Sequence, residues 1–449
     1  MFCARIVSSL RGILKMDKKE KYLLINAGSS SFKFALYEMP GDKEIVNGVF
    51  ERIGDERSSY TLKYNNQKVS KNAPIKNHKE AAFTMIDELL NNNFIADVNE
   101  IASVGHRVLL GGEKYKEPTI IDEELMEYIT ELSELVPLHH PGQIAGIRAM
   151  QEVLPNVPMV AVFDNTFHRT MPAENYHYAI DERWLNKFGI RKYGFHGISY
   201  QYITETMQRY FNKRNVRLIV CHIGSGASVC CIRNGQSFDT TMGLTPLAGI
   251  VMGTRCGDVS ADALHAMFMK EKKLQESLGV KVDGVALENK IYRQLNMESG
   301  LKGLSGNNDF RDIERLVKVG DYEAIRARKM FINSIIKYIS YYYSQLHGSV
   351  DALVFTAGIG ENSDSLRRDI LNEISYTIPV ELNDEENKII GGRNEKKSGV
   401  ISTADSLFPV MVIPTNEESI ILRDTYELYH QYKIENPELF EENSKVLKK

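Results

Sequence analysis

The sequence predicts an α/β protein that consists of two similar lobes. Residues 22–39 read as an apolar strand, a Gly/Ser turn and a second strand of alternating apolar residues, and residues 217–235 repeat this order. Each unit is followed by a second glycine-containing loop, at 103–113 in the first half and at 352–363 in the second. A unit of this kind that recurs within one chain indicates a duplicated fold.

A strong helix is predicted before the second of these loops. Its apolar residues recur every three or four positions and therefore share one face. They are Ile332, Ile335, Ile336, Ile339, Tyr343 and Leu346. Gly348 follows as a stop signal. Strands that alternate with helices favour the α/β class.

Length and composition narrow the class of protein. The chain has 449 residues, and a prior of about 150 residues per domain predicts two or three domains. The net charge of −4 gives no support to a nucleic-acid partner, and no apolar run is long enough to cross a membrane. The cysteines number five and form no CxxC pair, so we expect reduced thiols in a cytoplasmic protein rather than disulfides or zinc ligands.

The two Gly/Ser turns are candidate phosphate-binding loops. Aligning Gly28 with Gly224 places Asn26 opposite His222, and such turns expose backbone N–H groups without side-chain bulk. Neither turn is a Walker loop, because GxxxxGK[ST] does not occur in the sequence. A single turn of this type is more often an ordinary hairpin. The repetition favours two loops that hold a polyphosphate between the lobes.

Five polar residues are candidates for chemistry, each with a structural alternative. Arg107 and Arg255 lie among glycines, where a guanidinium has room to bind a carboxylate or a phosphate, although a surface ion pair would explain either one. Asp164 follows an apolar run and would face a ligand cleft or cap a helix. Glu417 would face the cleft or belong to a helix start that Thr415 and Glu418 cap. His196 lies between two glycines and would approach a ligand or pack in the core.

Nine blocks of the sequence, in order, resemble the acetate kinase family. They are INAGSSSFK (25–33), GHRV (105–108), FDNTFHRTMP (163–172), KYGFHG (192–197), CHIGSG (221–226), TPLAGIVMGTRCGD (245–258), NDFRD (308–312), FTAGIGENS (355–363) and IPTNEE (413–418). The resemblance covers nearly all of residues 21–432. It implies the two-lobed actin-like (ribonuclease H-like) fold that sugar kinases, actin and ATP-driven chaperones share, with the active site in the cleft between the lobes. It also implies reversible phosphoryl transfer from ATP to acetate, which gives acetyl phosphate and ADP, with Mg²⁺ (or Mn²⁺ in its place) and a homodimer.

Composition at the two ends and the resemblance between them divide the chain into segments. They are an N-terminal extension at 1–16, disordered or not native; an N-terminal lobe at 17–165, completed by 418–433; a C-terminal nucleotide-binding lobe at 166–417; and a solvated tail at 434–449.

The resemblance assigns roles position by position. Asn26 and Glu417 would hold the metal. The nucleotide and its phosphates would contact Lys33, His222, Ile223, Gly224, Ser225, Gly226, Asp309, Phe310, Arg311, Gly358, Ile359, Gly360, Glu361 and Asn362. Arg107 and Arg255 would hold the carboxylate and the transferring phosphoryl group, and His196 would stabilise the transition state. Asp164 would lie near the reacting centre, as a metal or water ligand, an orienter of an arginine or a proton acceptor; we favour the first two.

Some positions depart from the family pattern. Leu109 stands where the family commonly has valine, and it would narrow an acyl pocket that Leu138, Phe195 and Pro246 complete. Ser225 replaces an asparagine in the second phosphate loop, and Tyr200 replaces a histidine after the KYGFHG block. None of these departures removes a charged catalytic group.

Three other functions compete with acetate phosphorylation. A propionate-preferring kinase would differ only in its acyl pocket. A sugar kinase would need a base for a neutral hydroxyl, whereas paired arginines suit an anion. A non-catalytic nucleotide-binding or filament protein on the same fold would not need Arg107, His196 and Arg255 together.

Overall fold

Two β-sheets organise the chain, one from each half of the sequence. The computed structural model describes residues 19–391 and 396–440. The predicted extension at 1–16 lies outside the described residues, as do residues 441–449 of the predicted tail. Of the described tail residues, Ile434 is exposed, whereas the ring of Phe440 packs edge-on against Tyr429.

The first sheet has eight strands in the order β5-β4-β3-β2-β1-β6-β8-β7. Its strands are β1 (Glu20–Ala27), β2 (Ser31–Met39), β3 (Lys43–Glu51), β4 (Ser59–Tyr64), β5 (Gln67–Asn72), β6 (Ile101–Val108), β7 (Thr119–Ile120) and β8 (Met159–Phe163). The second sheet has six strands in the order β11-β10-β9-β12-β14-β13. Its strands are β9 (Leu218–Ile223), β10 (Ala227–Arg233), β11 (Gln236–Thr240), β12 (Ala352–Thr356), β13 (Gly399–Val400) and β14 (Val410–Val412).

Helices cover the sheets and connect their strands. The α-helices span His78–Asn91, Glu123–Glu131, His140–Val153, Ala173–Tyr176, Arg183–Phe188, Gly197–Tyr210, Ala261–Ser277, Gly284–Met297, Gly300–Ser305, Phe310–Lys318, Tyr322–Gln345, Ala357–Asn362, Asp364–Ile374, Asp384–Ile389 and Glu417–Glu435. Short 3₁₀-helices span Val98–Glu100, Leu132–Glu134 and Thr166–Thr170. Within the described residues, no helix combines the length and apolar character that a membrane span requires.

The two predicted hairpins form as expected and differ in the residues that face each other. In the first hairpin Asn26 pairs with Lys33, and in the second His222 pairs with Ser228. In both halves the first strand of the hairpin also pairs in parallel with a later strand, β1 with β6 and β9 with β12. The duplicated α/β fold predicted from the sequence is therefore confirmed.

The first sheet is covered on both faces at β1, which alternates its side chains between two cores. Leu23 and Ile25 belong to a cluster with the helices at 78–91 and 140–153. Tyr22 and Leu24 belong to a cluster on the other face. The helix Glu417–Glu435, from the far end of the chain, covers that second face through residues that include Ile420 and Ile421.

The second sheet is also covered on both faces. Ile219, Cys221 and Ile223 pack in one cluster with the helix Tyr322–Gln345. Leu218 and Val220 pack in another cluster with the helix Gly197–Tyr210. The predicted helix face is confirmed at Ile335 and Ile339, whose side chains are buried, and Gly348 follows the helix with a φ of 70°.

The glycine segment after β12 was expected to be a loop, and that expectation is wrong. Residues Ala357–Asn362 form a short helix that begins directly at the end of the strand, where Ala357 turns the chain with a φ of 65°. Arg367 is fully buried and donates from Nη1 to the carbonyl oxygens of Gly360 (2.9 Å) and Glu361 (2.8 Å). These carbonyls lie at the end of the helix, so a residue later in the chain satisfies groups that would otherwise be unpaired.

Candidate functional site

The ends of two neighbouring parallel strands place Arg107 against Asp164. Arg107 lies near the end of β6, and Asp164 follows β8, whose Phe163 pairs with Val108. Nη2 of Arg107 donates to Oδ2 of Asp164 at 2.8 Å, and Nε lies 3.8 Å from Oε2 of Glu417. Burial alone would lower the pKa of Arg107, but the charges of Asp164 and Glu417 raise it above its usual value. This arginine is therefore a fixed cation with two carboxylates beside it.

Glu417 begins the helix Glu417–Glu435 and faces the same cluster. Asn416 caps the helix by accepting from the N–H of Ser419, so Thr415 does not cap it as one alternative supposed. Burial, opposed by Arg107 and aided by the charge of Asp164, raises the pKa of Glu417 to about 7. Lys33, which pairs with Asn26 across the hairpin, also acts electrostatically on Glu417.

Asp164 has spare capacity as an acceptor. Its Oδ2 accepts from Arg107 and from the backbone N–H of His196, both at 2.8 Å, whereas its buried Oδ1 has no hydrogen-bond partner among the described residues. The following 3₁₀-helix is preceded by Asn165 at the cap position, so Asp164 is not its cap. The carboxylate therefore orients Arg107 and leaves one oxygen for a ligand.

His196 occupies a strained backbone position at the start of the helix Gly197–Tyr210. Its φ is 58°, in the left-handed region that non-glycine residues rarely adopt. Its Nδ1 lies 2.8 Å from Oγ of Ser228, and its ring stacks on His222 with 4.0 Å between centroids. Burial, together with the neighbouring His222 and the two arginines, lowers the pKa of His196 well below its usual value. The imidazole is therefore neutral at pH 7.

Arg255 is the second arginine of the cleft and has no carboxylate within ion-pairing distance among the described residues. Its Nη1 donates to the carbonyl oxygen of Pro246 at 3.2 Å, and Nη2 lies 3.5 Å from Nε2 of His139. Burial lowers the pKa of Arg255 below its usual range, although not enough to neutralise a guanidinium. Burial and Arg255 also lower the pKa of His139, to about 3, so that neighbour carries no charge.

Gly226 leaves space where these groups converge. A Cβ atom at this position would lie 3.4 Å from Nη1 of Arg255 and 3.6 Å from Nε2 of His196. Because glycine carries no side chain, the two donors face open space above the second Gly/Ser turn. A cation and a neutral donor over an exposed backbone turn suit an anion such as a phosphoryl group.

A cavity of about 780 Å³ continues from this turn along the second lobe. Eight predicted nucleotide residues line it: Gly224, Ser225, Asp309, Phe310, Arg311, Gly358, Ile359 and Asn362. Six others do not: Lys33, His222, Ile223, Gly226, Gly360 and Glu361. Sequence reasoning missed Glu314, Arg315, Lys318, Ser363, Asp364 and Ser365 in its wall. Arg315 and Lys318 share the helix that Phe310 begins, so helical spacing from Arg311 was an available signal.

The residues outside this cavity have other surroundings. Lys33 lies in the first lobe and its side chain is exposed. Gly360 packs close to Ile223 in the second lobe, and Oε1 of Glu361 accepts from the backbone N–H of Thr415 at 3.1 Å.

Two of the four predicted acyl-pocket residues are connected to Arg255, one directly and one through its chain neighbour, and the other two share a buried cluster. Leu109 and Phe195 belong to the same buried cluster, and Pro246 is bonded through its carbonyl to Arg255. Leu138 is partly exposed and precedes His139, which contacts Arg255. Among the described residues, no three His, Cys, Asp or Glu side chains are grouped to bind a metal.

Sequence reasoning missed the serines that contact the two stacked histidines. Ser228 contacts His196, and Ser199 contacts Nδ1 of His222 at 2.8 Å. Ser199 lies on the helix that follows His196, and Ser228 is the strand partner of His222. Each serine therefore contacts the histidine of the other element. The predicted hairpin pairs Ser228 with His222, but no local pattern in the sequence indicates that this hairpin contacts His196 and Ser199.

Comparison with known proteins gives consistent matches over most of the chain. The family model described as the acetokinase family matches residues 21–423. A curated relative, the acetate kinase of Phytoplasma australiense, is 42% identical over 414 residues, which are 92% of this chain and 100% of that protein. The crystal structure of a propionate kinase from Francisella tularensis aligns with a TM-score of 0.81 at 34% identity, and that of Porphyromonas gingivalis acetate kinase with 0.78 at 35%. Each alignment covers 91% of this chain and 99% of the solved chain.

Proposed function

This chain belongs to the acetokinase family, and on that premise we propose that it transfers a phosphoryl group reversibly from ATP to acetate, giving acetyl phosphate and ADP. One observation carries the proposal: Arg255 and His196 converge on the space above Gly226, beside the cavity that Gly224 and Ser225 line. An anion acceptor and a nucleotide phosphate would meet there. The enzyme is a phosphotransferase with a carboxyl group as acceptor.

The acceptor needs no general base, because a carboxylate is already ionised at pH 7. The barrier instead comes from bringing two anions together and from the charge on the transferring group, so positioned cations and donors supply the catalysis. Arg255 would bind the anions directly, since it has no carboxylate within ion-pairing distance in the described residues. Arg107, which Asp164 orients, would hold the other side of the carboxylate or of the phosphoryl group.

His196 would act as a neutral hydrogen-bond donor to the transferring phosphoryl group. Its lowered pKa supports this role over that of a proton donor in acid form. A neutral imidazole cannot neutralise charge as an arginine does, but it adds a donor without repelling the two guanidinium groups.

We propose a divalent-cation site at Asn26 and Glu417. The support is an unpartnered buried oxygen of Asp164 beside a glutamate of raised pKa, because a hard cation prefers carboxylate and amide oxygens. Asn26 and Glu417 would hold Mg²⁺. Bound there, the ion would neutralise charge on the nucleotide phosphates. The homodimer and the cytoplasmic location remain proposals that rest on the family resemblance and the cysteine pattern, and the lobe boundaries remain predictions.

Trapping acyl phosphate as hydroxamate tests the proposal, with ATP, Mg²⁺ and acetate, propionate or butyrate as acceptor. We expect the highest kcat/KM with acetate. A higher value with propionate would favour the second candidate, a propionate kinase, which the alignment to the Francisella protein supports. Phosphorylation of glucose, measured in parallel as ADP release, would indicate a sugar kinase. ATP binding without turnover of any acceptor would indicate a non-catalytic nucleotide-binding protein.

A further inference from the structure

A buried chain of hydroxyl groups ends at the ring of His196. Oγ of Ser228 lies 2.8 Å from Nδ1 of His196 and 2.5 Å from the hydroxyl oxygen of Tyr200. The residues Tyr200 and Ser228 are both fully buried. Tyr200 lies one helical turn after His196, and Ser228 lies on the strand β10 that this helix covers. The three side chains therefore form a continuous hydrogen-bonded chain from the core to the cleft.

The hydrogens in this hydrogen-bonded chain can be assigned by elimination. The hydroxyl of Tyr200 meets only Ser228 among the described residues, so its hydrogen has one acceptor. If Ser228 donated to Tyr200 instead, the tyrosine hydrogen would be left unsatisfied in the core, at a cost of about 1–3 kcal/mol. Tyr200 therefore donates to Ser228. The hydrogen of Ser228 then has Nδ1 of His196 as its only remaining acceptor among the described residues, so Ser228 donates to that nitrogen. A neutral imidazole that accepts at Nδ1 carries its hydrogen on Nε2.

We propose that Tyr200 and Ser228 are positioning residues that hold His196 in the Nε2–H tautomer, with that hydrogen aimed at the transferring phosphoryl group. The tautomer follows from the hydroxyl chain alone, whereas its use in catalysis rests on the proposed function. Nε2 is the ring nitrogen that faces the space above Gly226. The opposite tautomer would present a lone pair to an anion, which is repulsive.

Tyrosine suits this position because its hydroxyl stays protonated. Burial raises the pKa of Tyr200 well above its usual value. The acetate kinase family commonly has a histidine at this position, and a histidine can donate or accept. A buried tyrosine with one hydrogen-bond partner has to donate. The departure from the family pattern thus gives the chain of hydroxyls a single direction.

The neighbouring His222 provides an internal contrast. Its Nδ1 contacts Oγ of Ser199, which lies 2.8 Å from Oγ1 of Thr415. Thr415 is only partly buried, so its hydrogen can be satisfied by solvent and either direction of donation is open. The assignment therefore applies to His196 and not to every histidine of the site.

¹⁵N NMR of histidine-labelled enzyme without substrate tests the tautomer directly. The spectrum of the variant His196→Asn, which keeps a residue tolerant of positive φ, identifies the His196 signals by their loss. We expect an unprotonated Nδ1 and a protonated Nε2 in the wild type, and a mixture of tautomers in Tyr200→Phe and in Ser228→Ala. A protonated Nδ1 in the wild type would overturn the proposal, whatever the enzyme phosphorylates.

Kinetics separate positioning from a structural role. Tyr200→Phe should lower kcat about threefold to tenfold, the equivalent of one hydrogen bond, with both KM values unchanged. Tyr202→Phe is the matched control, because Tyr202 lies on the same helix and its hydroxyl bonds to no residue that the structure describes. In the His196→Asn background the effect of Tyr200→Phe should vanish. An equal loss in that background, or in the control, would contradict the positioning role.

A wild type that phosphorylates no carboxylate would refute the proposed function and leave the NMR result to decide the tautomer.

Discussion

The two arginines of the cleft lie in opposite electrostatic surroundings. Arg107 donates to Asp164 and has Glu417 nearby, and its pKa is raised. Arg255 contacts a carbonyl oxygen and a neutral histidine, and burial lowers its pKa. Similar glycine-rich sequence surrounds both residues, so only the structure distinguishes them.

The difference indicates which arginine is reserved for the ligand. A buried cation without a counter-charge is unfavourable until an anion arrives, so in the proposed role the binding of an anionic ligand would recover the cost of burying Arg255. Arg107 is already neutralised by residues of the protein, and its removal would leave the buried carboxylate of Asp164 without its cation. The same substitution at the two positions should therefore act differently on catalysis and on stability.

Arg255→Ala should have the largest effect, and it should be catalytic. We expect kcat/KM for acetate to fall about a hundredfold to a thousandfold, the loss seen when one preorganised transition-state contact is removed. The melting temperature should not fall, because no carboxylate of the described residues loses an ion-pair partner. Arg255→Lys is the matched variant and should recover only part of the rate, since the planar fork is absent. Near-normal turnover of the alanine variant would refute the role of Arg255.

Arg107→Ala should lose stability as well as rate. Asp164 is fully buried, and leaving it unpaired should lower the free energy of unfolding by about 3 kcal/mol. Thermal unfolding of the alanine variant and of the double variant Arg107→Ala/Asp164→Asn measures this, and the second should recover part of the loss. Arg57→Ala removes an exposed ion pair and is the control for a surface arginine. Equal melting temperatures for Arg107→Ala and Arg57→Ala would show that Arg107 stabilises the fold no more than a surface arginine does.

Glu417 should make stability fall as the pH rises. Its pKa is about 7 in the folded protein against 4.5 as the ordinary value, so between these values the folded chain retains a proton that the unfolded chain releases. The stabilisation is complete below about pH 4.5 and is lost by about pH 7, with a size on the order of 1–2 kcal/mol for a side chain that keeps some exposure. Without Mg²⁺, Glu417→Gln should lose less stability than the wild type between pH 5 and 7.5. Glu418→Gln, an exposed neighbour, should follow the wild type.

Leu109 should have the smallest effect, on specificity. It lies two residues after Arg107 in the cluster that contains Phe195, so a smaller side chain there should lengthen the acyl pocket. Leu109→Val should raise the ratio of kcat/KM for propionate to kcat/KM for acetate. The change should correspond to about 1–2 kcal/mol in activation free energy, the range for one methylene. Leu110→Val changes the same cluster at the next residue and is the control. An unchanged ratio would show that Leu109 does not contact the end of the substrate.

Much of the fold was predictable because its signals are local. Alternating apolar residues and Gly/Ser turns predicted both hairpins, and the apolar run before Asp164 predicted a strand that ends at the cleft. The helix at 357–362 was not predicted, because a buried arginine from the next helix completes its hydrogen bonds. The hydroxyl chain from Tyr200 to His196 was not predicted either. It depends on the packing of the helix Gly197–Tyr210 against β10, which is a long-range contact with no periodic pattern.

The helix Glu417–Glu435 has a consequence for the order in which the chain can fold during synthesis. The strands of the first sheet all lie before residue 164, yet the helix that covers one of its faces begins only at Glu417 and is translated long after them. Until that helix leaves the ribosome, Tyr22 and Leu24 lie on an apolar face that is covered only in part, by the helix that carries Ile198, and such a surface can associate with other nascent chains. The first sheet is therefore translated early, but its apolar face is fully covered only after the helix Glu417–Glu435 has been made.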